Sequence, residues 1–208
     1  MANQNRIPIP TLARFANLYR VLQEAEEEGI EHLNSAQLEA LTSISASQIR
    51  KDLSMLGEMG RPGVGYKVNL LKKRIGSILR VDRGHPYALV GAGQLGRAIA
   101  NYPGFEDYGF KLKAIFDADR EKVGQVVQGI PIESSDDMPA SLLQKSIRIA
   151  VLTVPRNAAQ DAADQLVSGG VRWILNFAPT HLKVPDNCMV RDVFLTPEFA
   201  ILGHFTED

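Results

Sequence analysis

Apolar residues recur at helical spacing over the first eighty positions and then gather into short solid runs. Leu12, Phe15, Leu18, Tyr19 and Leu22 share one helix face, Thr11 after Pro8 and Pro10 reads as the N-cap, and Gly29 as the stop. Asn34 and Gln37 form a cap-like pair before Leu38 and Leu41. Ser45 and Gln48 repeat that spacing before a third helix over 45–56. There Ile49, Leu53 and Leu56 face a core, and Gly57 ends the helix. The opposite face carries Ser47, Arg50, Lys51 and Ser54. Short helices with a polar, basic last face describe a helix-turn-helix. Gly57 to Tyr66 holds four glycines and a proline, and 67–70 looks strand-like after it. A hairpin wing is expected, with Arg61 placed to enter a minor groove. Leu71, Ile75, Ile78 and Leu79 return to helical spacing, and 80–84 reads as a linker.

Beyond the linker, strand and helix alternate. Strands are expected over 86–90, 111–116, 147–153 and 171–175, and helices over 94–101, 119–125, 157–168 and 196–205. This alternation predicts a parallel α/β sheet. The fold class is therefore α/β: a winged helix-turn-helix over 1–80, a Rossmann-type domain over 85–195 and a terminal segment over 196–208.

Charge sharpens that division. The net charge of −1 conceals a block over 45–80 with eight basic and two acidic side chains. A basic stretch between acidic neighbours fits a polyanion partner as well as an ordinary solvated face. The single cysteine, Cys188, makes no intrachain disulfide and no zinc cluster. No apolar run approaches a membrane span and the start lacks a signal-peptide core, so the expected location is the cytoplasm.

The chemistry centres on Gly91-Ala92-Gly93-Gln94-Leu95-Gly96, a G-x-G-x-x-G between an apolar run and a helical stretch. Gly91 suits a tight turn, Gly93 lets backbone approach a pyrophosphate, and Gly96 allows close helix–strand packing. Asp117 lies 21 residues after Gly96, at the end of the next apolar run. There it would accept hydrogen bonds from an adenine ribose and repel a 2′-phosphate, which favours NAD(H) over NADP(H). Thr153-Val154-Pro155 and Asn176-Phe177-Ala178 close later strands, where they line a nicotinamide half or simply stop the strands. A hydride-transfer enzyme also needs an acid–base group. Of His32, His85, His181 and His204, only His181 sits after a strand in a plausible place, and none has a partner at readable spacing. Two classes follow: a repressor that uses NAD(H) as a regulatory ligand, and an NAD-dependent oxidoreductase with a basic N-terminal appendage. A repressor answering to another nucleotide is a third.

Several motifs resemble one family. Ser47-Gln48-Ile49-Arg50-Lys51-Asp52-Leu53-Ser54, Gly57-Glu58 and Gly63-Val64-Gly65-Tyr66 are similar to the winged-helix signature of the Rex redox-sensing repressors. So are the glycine fingerprint, Tyr102-Pro103-Gly104-Phe105, Phe116-Asp117-Ala118-Asp119 and Asn176-Phe177-Ala178-Pro179. The resemblance implies a homodimer that exchanges its C-terminal helix, binds palindromic operator DNA, and is released from it by NADH. It implies no catalysis, and DNA contacts at Ser47, Gln48, Arg50, Lys51, Ser54, Arg61, Gly63 and Tyr66. It gives Arg14 the role of a cross-domain pairing arginine, and Tyr102 that of a switching tyrosine near the nicotinamide. An acidic residue near the C-terminal end completes that switch. Ungapped matching puts Phe194 there, and Asp192 lies two positions earlier. Either the register shifts to Asp192 or the carboxylate is absent. Pro62 stands where a second basic wing residue is common in the family.

Overall fold

The computed structural model describes residues 7–57, 60–61 and 63–206, so Glu58 and Pro62 lie outside the described residues. The chain divides into two compact units, Met1–Arg83 and Gly84–Asp208.

The first unit is helical with a small sheet. α1 (Ile9–Glu27) is followed by β1 (His32–Leu33), α2 (Ser35–Thr42), α3 (Ala46–Ser54), β2 (Gly60–Arg61), β3 (Gly65–Lys67) and α4 (Val68–Leu79). α1 buries Phe15, Leu18, Tyr19 and Leu22 and packs on α4, where Leu71 and Ile75 are fully buried. Its start differs from expectation. Pro8 occupies the N-cap position and Thr11 lies inside the first turn, where its hydroxyl accepts a hydrogen bond from Arg14. Pro10 near the helix start explains the shift, because a missing N–H costs nothing there. Asn34 and Gln37 form a complete capping box at α2. Ser45 caps α3 through the Gln48 N–H, but the Gln48 side chain turns to Asp52 instead of closing a second box.

β2 and β3 form the wing, and β3 also pairs antiparallel with β1. Gly65 makes that pairing possible, since a Cβ there would lie 2.7 Å from the Leu33 carbonyl oxygen. The strand expected over 67–70 ends at Lys67, and Val68 opens α4. Burial of Val68, Leu71 and Ile75 at helical spacing overrides the local strand preference of 67–70.

The second unit is a seven-stranded sheet ordered β10-β9-β8-β4-β5-β7-β6. Its strands are β4 (His85–Val90), β5 (Phe110–Asp117), β6 (Val126–Val127), β7 (Ile130–Ser134), β8 (Ile149–Leu152), β9 (Trp173–Asn176) and β10 (Met189–Asp192). All neighbours are parallel except β6 and β7. The helices are α5 (Gln94–Ala100), α6 (Gly104–Asp107), α7 (Met138–Gln144), α8 (Ala159–Ser168) and α9 (Leu195–Gly203). Ala88–Val90, Ala114–Phe116 and Ala150–Leu152 are continuous buried apolar runs because both faces of the sheet are covered there. One face buries Ala88, Val90, Phe116 and Leu152 beneath α7 and α8, and the other buries Leu89, Ile115 and Ile132.

The helix expected over 119–125 is absent; that stretch is a turn leading into the β6–β7 hairpin. The Asp119 carboxylate caps the Glu121 N–H, and Gly124 adopts φ +86 with its N–H on the Ile132 carbonyl. These are turn interactions that compete with a helix.

Candidate nucleotide site and recognition helix

β4 is the first strand of its sheet, and the chain builds outward from it in both directions. The switch point therefore lies between β4 and β8, where ligands of open α/β sheets bind beyond the strand ends. A cavity of about 780 Å³ opens there, lined by Gly91, Gly93, Leu95, Asp117, Thr153, Val154, Pro155 and Phe177 among others.

The glycine turn is tightly held. Gly91 has φ +97, a left-handed value that favours glycine. A Cβ on Gly96 would fall 1.9 Å from the Gly91 oxygen, so α5 can start here only without one. Gly93 faces open space, and a Cβ there would meet nothing within 4 Å. The Thr153 hydroxyl bonds the carbonyls of Val90 and Gly91 at 3.0 and 2.7 Å, which ties β8 to the turn.

Asp117 is buried at the end of β5. One oxygen accepts from the Ala92 N–H at 2.7 Å and from Lys122 at 3.2 Å, and the other accepts from the Asp119 N–H at 2.9 Å. Burial pushes its acidity the wrong way, but these donors outweigh burial and hold the carboxyl below its ordinary range. It is thus charged at neutral pH and fixed beside the glycine turn. Arg97 holds the same residue through the Ala92 carbonyl, to which its Nε donates at 3.1 Å.

The cavity does not take in every expected residue. Ala92, Gln94 and Gly96 form the turn's framework without lining it, and Asn176 and Ala178 are buried behind the wall. Asn176 accepts from the Ala178 N–H and donates to Thr180 and to Asp192 at 2.7 Å, so its amide is spent on holding loops together. Lys122, Met138 and Gln165 line the cavity and were not singled out from sequence. Met138 opens a helix the apolar pattern did not reveal, and Gln165 shows no motif around it.

In the first unit, Ser47, Arg50, Lys51 and Ser54 are exposed along α3. Arg50, Ser54, Arg61, Gly63 and Tyr66 surround one cleft between α3 and the wing. Arg50 is tethered to the Ser35 hydroxyl at 2.8 Å. Gln48 is half-buried and its amide donates to Asp52, which takes it off the exposed face.

Each residue of the implied switch has a local partner. Arg14 clamps Asp52 with two hydrogen bonds, at 2.5 and 2.8 Å. The hydrogen bond from Arg14 outweighs burial and holds Asp52 below its usual range. Asp192 accepts from Asn176 and meets the His181 ring at 2.8 Å. Phe194 stacks edge-on against His181, with ring centroids 5.2 Å apart. Tyr102 lies apart from the others. It does not line the dinucleotide cavity but a separate one of about 570 Å³, with Tyr87, Phe105 and Lys111. The turn after α5 carries it there, and its ring packs against Phe105 and over Gly104.

Among the described residues, no cluster of three or more His, Cys, Asp or Glu could hold a metal, and no helix is long and apolar enough to cross a membrane.

Comparisons with known proteins agree with this division. Residues 6–54 match the family model "Putative DNA-binding protein N-terminus", and residues 82–180 match the model "CoA binding domain". The chain is 45% identical over 203 residues to the redox-sensing transcriptional repressor Rex of Thermus thermophilus, covering 95% of each. It is 40% identical to that of Clostridium beijerinckii, covering 97% of this chain and 96% of the other. A solved structure of RSP with β-NAD+ and operator DNA superposes with a TM-score of 0.89 at 32% identity, covering 97% of this chain and 93% of that one. RSP with β-NADH gives 0.87 at 31% identity, covering 97% and 94%. On this similarity along nearly the whole chain, the protein belongs to the Rex family of redox-sensing transcriptional repressors.

Proposed function

We propose that this protein represses transcription by binding a palindromic operator as a homodimer, and leaves it when NADH occupies the cavity beside Gly91 and Asp117. The observation that carries this is the union, in one chain, of an exposed basic helix with a wing and a glycine-walled cavity at the sheet's switch point. NAD(H) acts as a ligand: it shifts the balance between two dimer states by its different affinity for each. The regulatory reading fits His181, whose side chain is 83% exposed and so is poorly placed to keep water from a hydride transfer. The cytoplasm is the matching location.

Several residues support the assembly. α9 and the turn after it leave Leu195, Phe199, Ile201, Leu202 and Phe205 between 56 and 75% exposed. So much apolar surface on a terminal helix calls for a partner, and exchange of α9 between subunits supplies one. The segment 196–208 then serves as the dimerisation element, 85–195 as the nucleotide domain and 1–80 as the DNA domain. In the switch we assign the acidic role to Asp192, whose carboxylate is linked through Asn176 to the strand end beside Phe177.

DNA contact is assigned to Ser47, Arg50, Lys51, Ser54, Arg61, Gly63 and Tyr66, with Gln48 positioning Asp52. Lys51→Ala is expected to weaken operator binding by about 1–3 kcal/mol if the lysine reads a base edge. If it neutralises a phosphate, the slope of log affinity against log salt should fall by about one. Fluorescence anisotropy across a salt series measures both. An unchanged affinity together with an unchanged slope would show that α3 presents another face.

A further inference from the structure

α3 is only nine residues long, yet it carries most of the side chains assigned to DNA. It packs chiefly on α2, and within its span the buried apolar side chains are Ile49 and Leu53. Apolar contact has no preferred direction, so two such side chains hold the helix down without fixing its rotation about its own axis. Rotation matters for reading. A helix with its side chains is about 10–12 Å across, so a turn of about 20° moves a side-chain tip by about 2 Å. A hydrogen bond to a base edge, formed at about 2.7–3.2 Å, does not survive that shift.

Asp52 supplies the missing direction. It is 3% exposed, between Ile49 and Leu53 on the core side of α3. Helical spacing places it about 160° round the helix from Arg50. Its carboxylate accepts two hydrogen bonds from the Arg14 guanidinium, at 2.5 and 2.8 Å, and one from the Gln48 amide at 2.8 Å. A planar two-point clamp fixes angle as well as distance, which a lysine cannot do. The guanidinium is anchored in turn. It also donates to the Thr11 hydroxyl at 3.0 Å, and its helix, α1, fully buries Phe15, Leu18 and Leu22. A buried ion pair adds little to stability over well-packed apolar groups, so its value here lies in geometry.

Resting on the operator-binding reading above, we propose that Arg14 and Asp52 set the rotation of α3 and thereby the DNA sequence it selects. Both are positioning residues, and Arg14 does this work inside its own domain. Contacts to phosphates carry no sequence information, and long exposed basic side chains follow a small turn of the helix, so general affinity for DNA does not depend on the pair.

The test uses the full-length protein without dinucleotide and two labelled duplexes of equal length, read by anisotropy. One is a palindromic fragment selected from random sequence by the native protein, and the other is its scrambled counterpart. Asp52→Asn removes the charge at nearly constant size, and Arg14→Lys keeps the cation but loses the clamp. Each should lower the selected-to-scrambled affinity ratio by about tenfold or more, the order of one mismatched base pair. Affinity for the scrambled duplex should stay within about threefold of native, with an unchanged salt slope. The double variant should discriminate no worse than the weaker single variant, because both break one device. Circular dichroism and NADH calorimetry should be native throughout. If Asp52→Asn does not fold, Arg14→Lys decides alone. Retention of the native ratio by either folded variant would overturn the proposal, as would equal losses on both duplexes or additive losses in the double variant. Unfolding of both single variants would also overturn it, since the pair would then hold the fold and not the angle. A native protein that selects no fragment would overturn the operator reading itself, and this inference with it.

Discussion

Gly96→Ala is expected to abolish dinucleotide binding and leave an operator complex that no longer responds to NADH. The new Cβ would lie 1.9 Å from the Gly91 oxygen and 2.9 Å from the Thr153 hydroxyl. Both neighbours line the cavity, and the nearer one is backbone, so a rotamer change cannot relieve the clash. Overpacking an ordinary core costs about 1–3 kcal/mol. A backbone contact this short exceeds that range, and about 3 kcal/mol already corresponds to more than a hundredfold in affinity. The first unit has its own buried helices and wing, so DNA binding should survive. Calorimetry with NADH and anisotropy with labelled operator measure the two halves. NADH-driven release at the native concentration would show that the turn does not hold the ligand.

Asp117→Ala should have the next largest effect, and on cofactor choice more than on fold. The substitution removes the acceptor for the Ala92 and Asp119 N–H groups and leaves the Lys122 ammonium paired with Asp119 alone. Hydrogen bonds to a charged group contribute about 1.5–3 kcal/mol, so NADH affinity should drop by about one to two orders of magnitude. Affinity for NADPH should fall less or rise, because a repelling carboxylate is gone and Lys122 is left to meet a 2′-phosphate. The NADH-to-NADPH ratio should therefore collapse. A native protein that prefers NADPH, or a variant that keeps the native ratio, would refute the role given to Asp117.

Much of this was legible in the chain because some positions admit few residues. The turn at Gly91 needs a left-handed φ, and Gly96 has no room for a Cβ, so those glycines announce themselves. The exposed face of α3 followed from the helical spacing of Ile49 and Leu53. The pattern failed where short-range chemistry competed with it. Asp119 and Gly124 turned an apparent helix into a hairpin approach, and Gln128-Gly129, both at positive φ, made the two-residue turn between β6 and β7. Val-Val-Gln-Gly-Ile-Pro-Ile was the available signal for that hairpin. Tyr102 and Asn176 were placed by motif alone, and a motif does not say which way a side chain turns. Tyr102 went to a second cavity, and Asn176 into the support of Asp192. Gln165 had no signal at all, because it reaches the cavity only through the packing of α8.

The most direct test of the redox-sensing account uses a palindromic DNA fragment selected from random sequence by the purified protein. The labelled complex is titrated with NADH and, separately, with NAD+ at constant salt, and release is followed by anisotropy. The account predicts that NADH dissociates the complex at concentrations where NAD+ leaves it intact. Equal release by both dinucleotides, or release by neither, would contradict it.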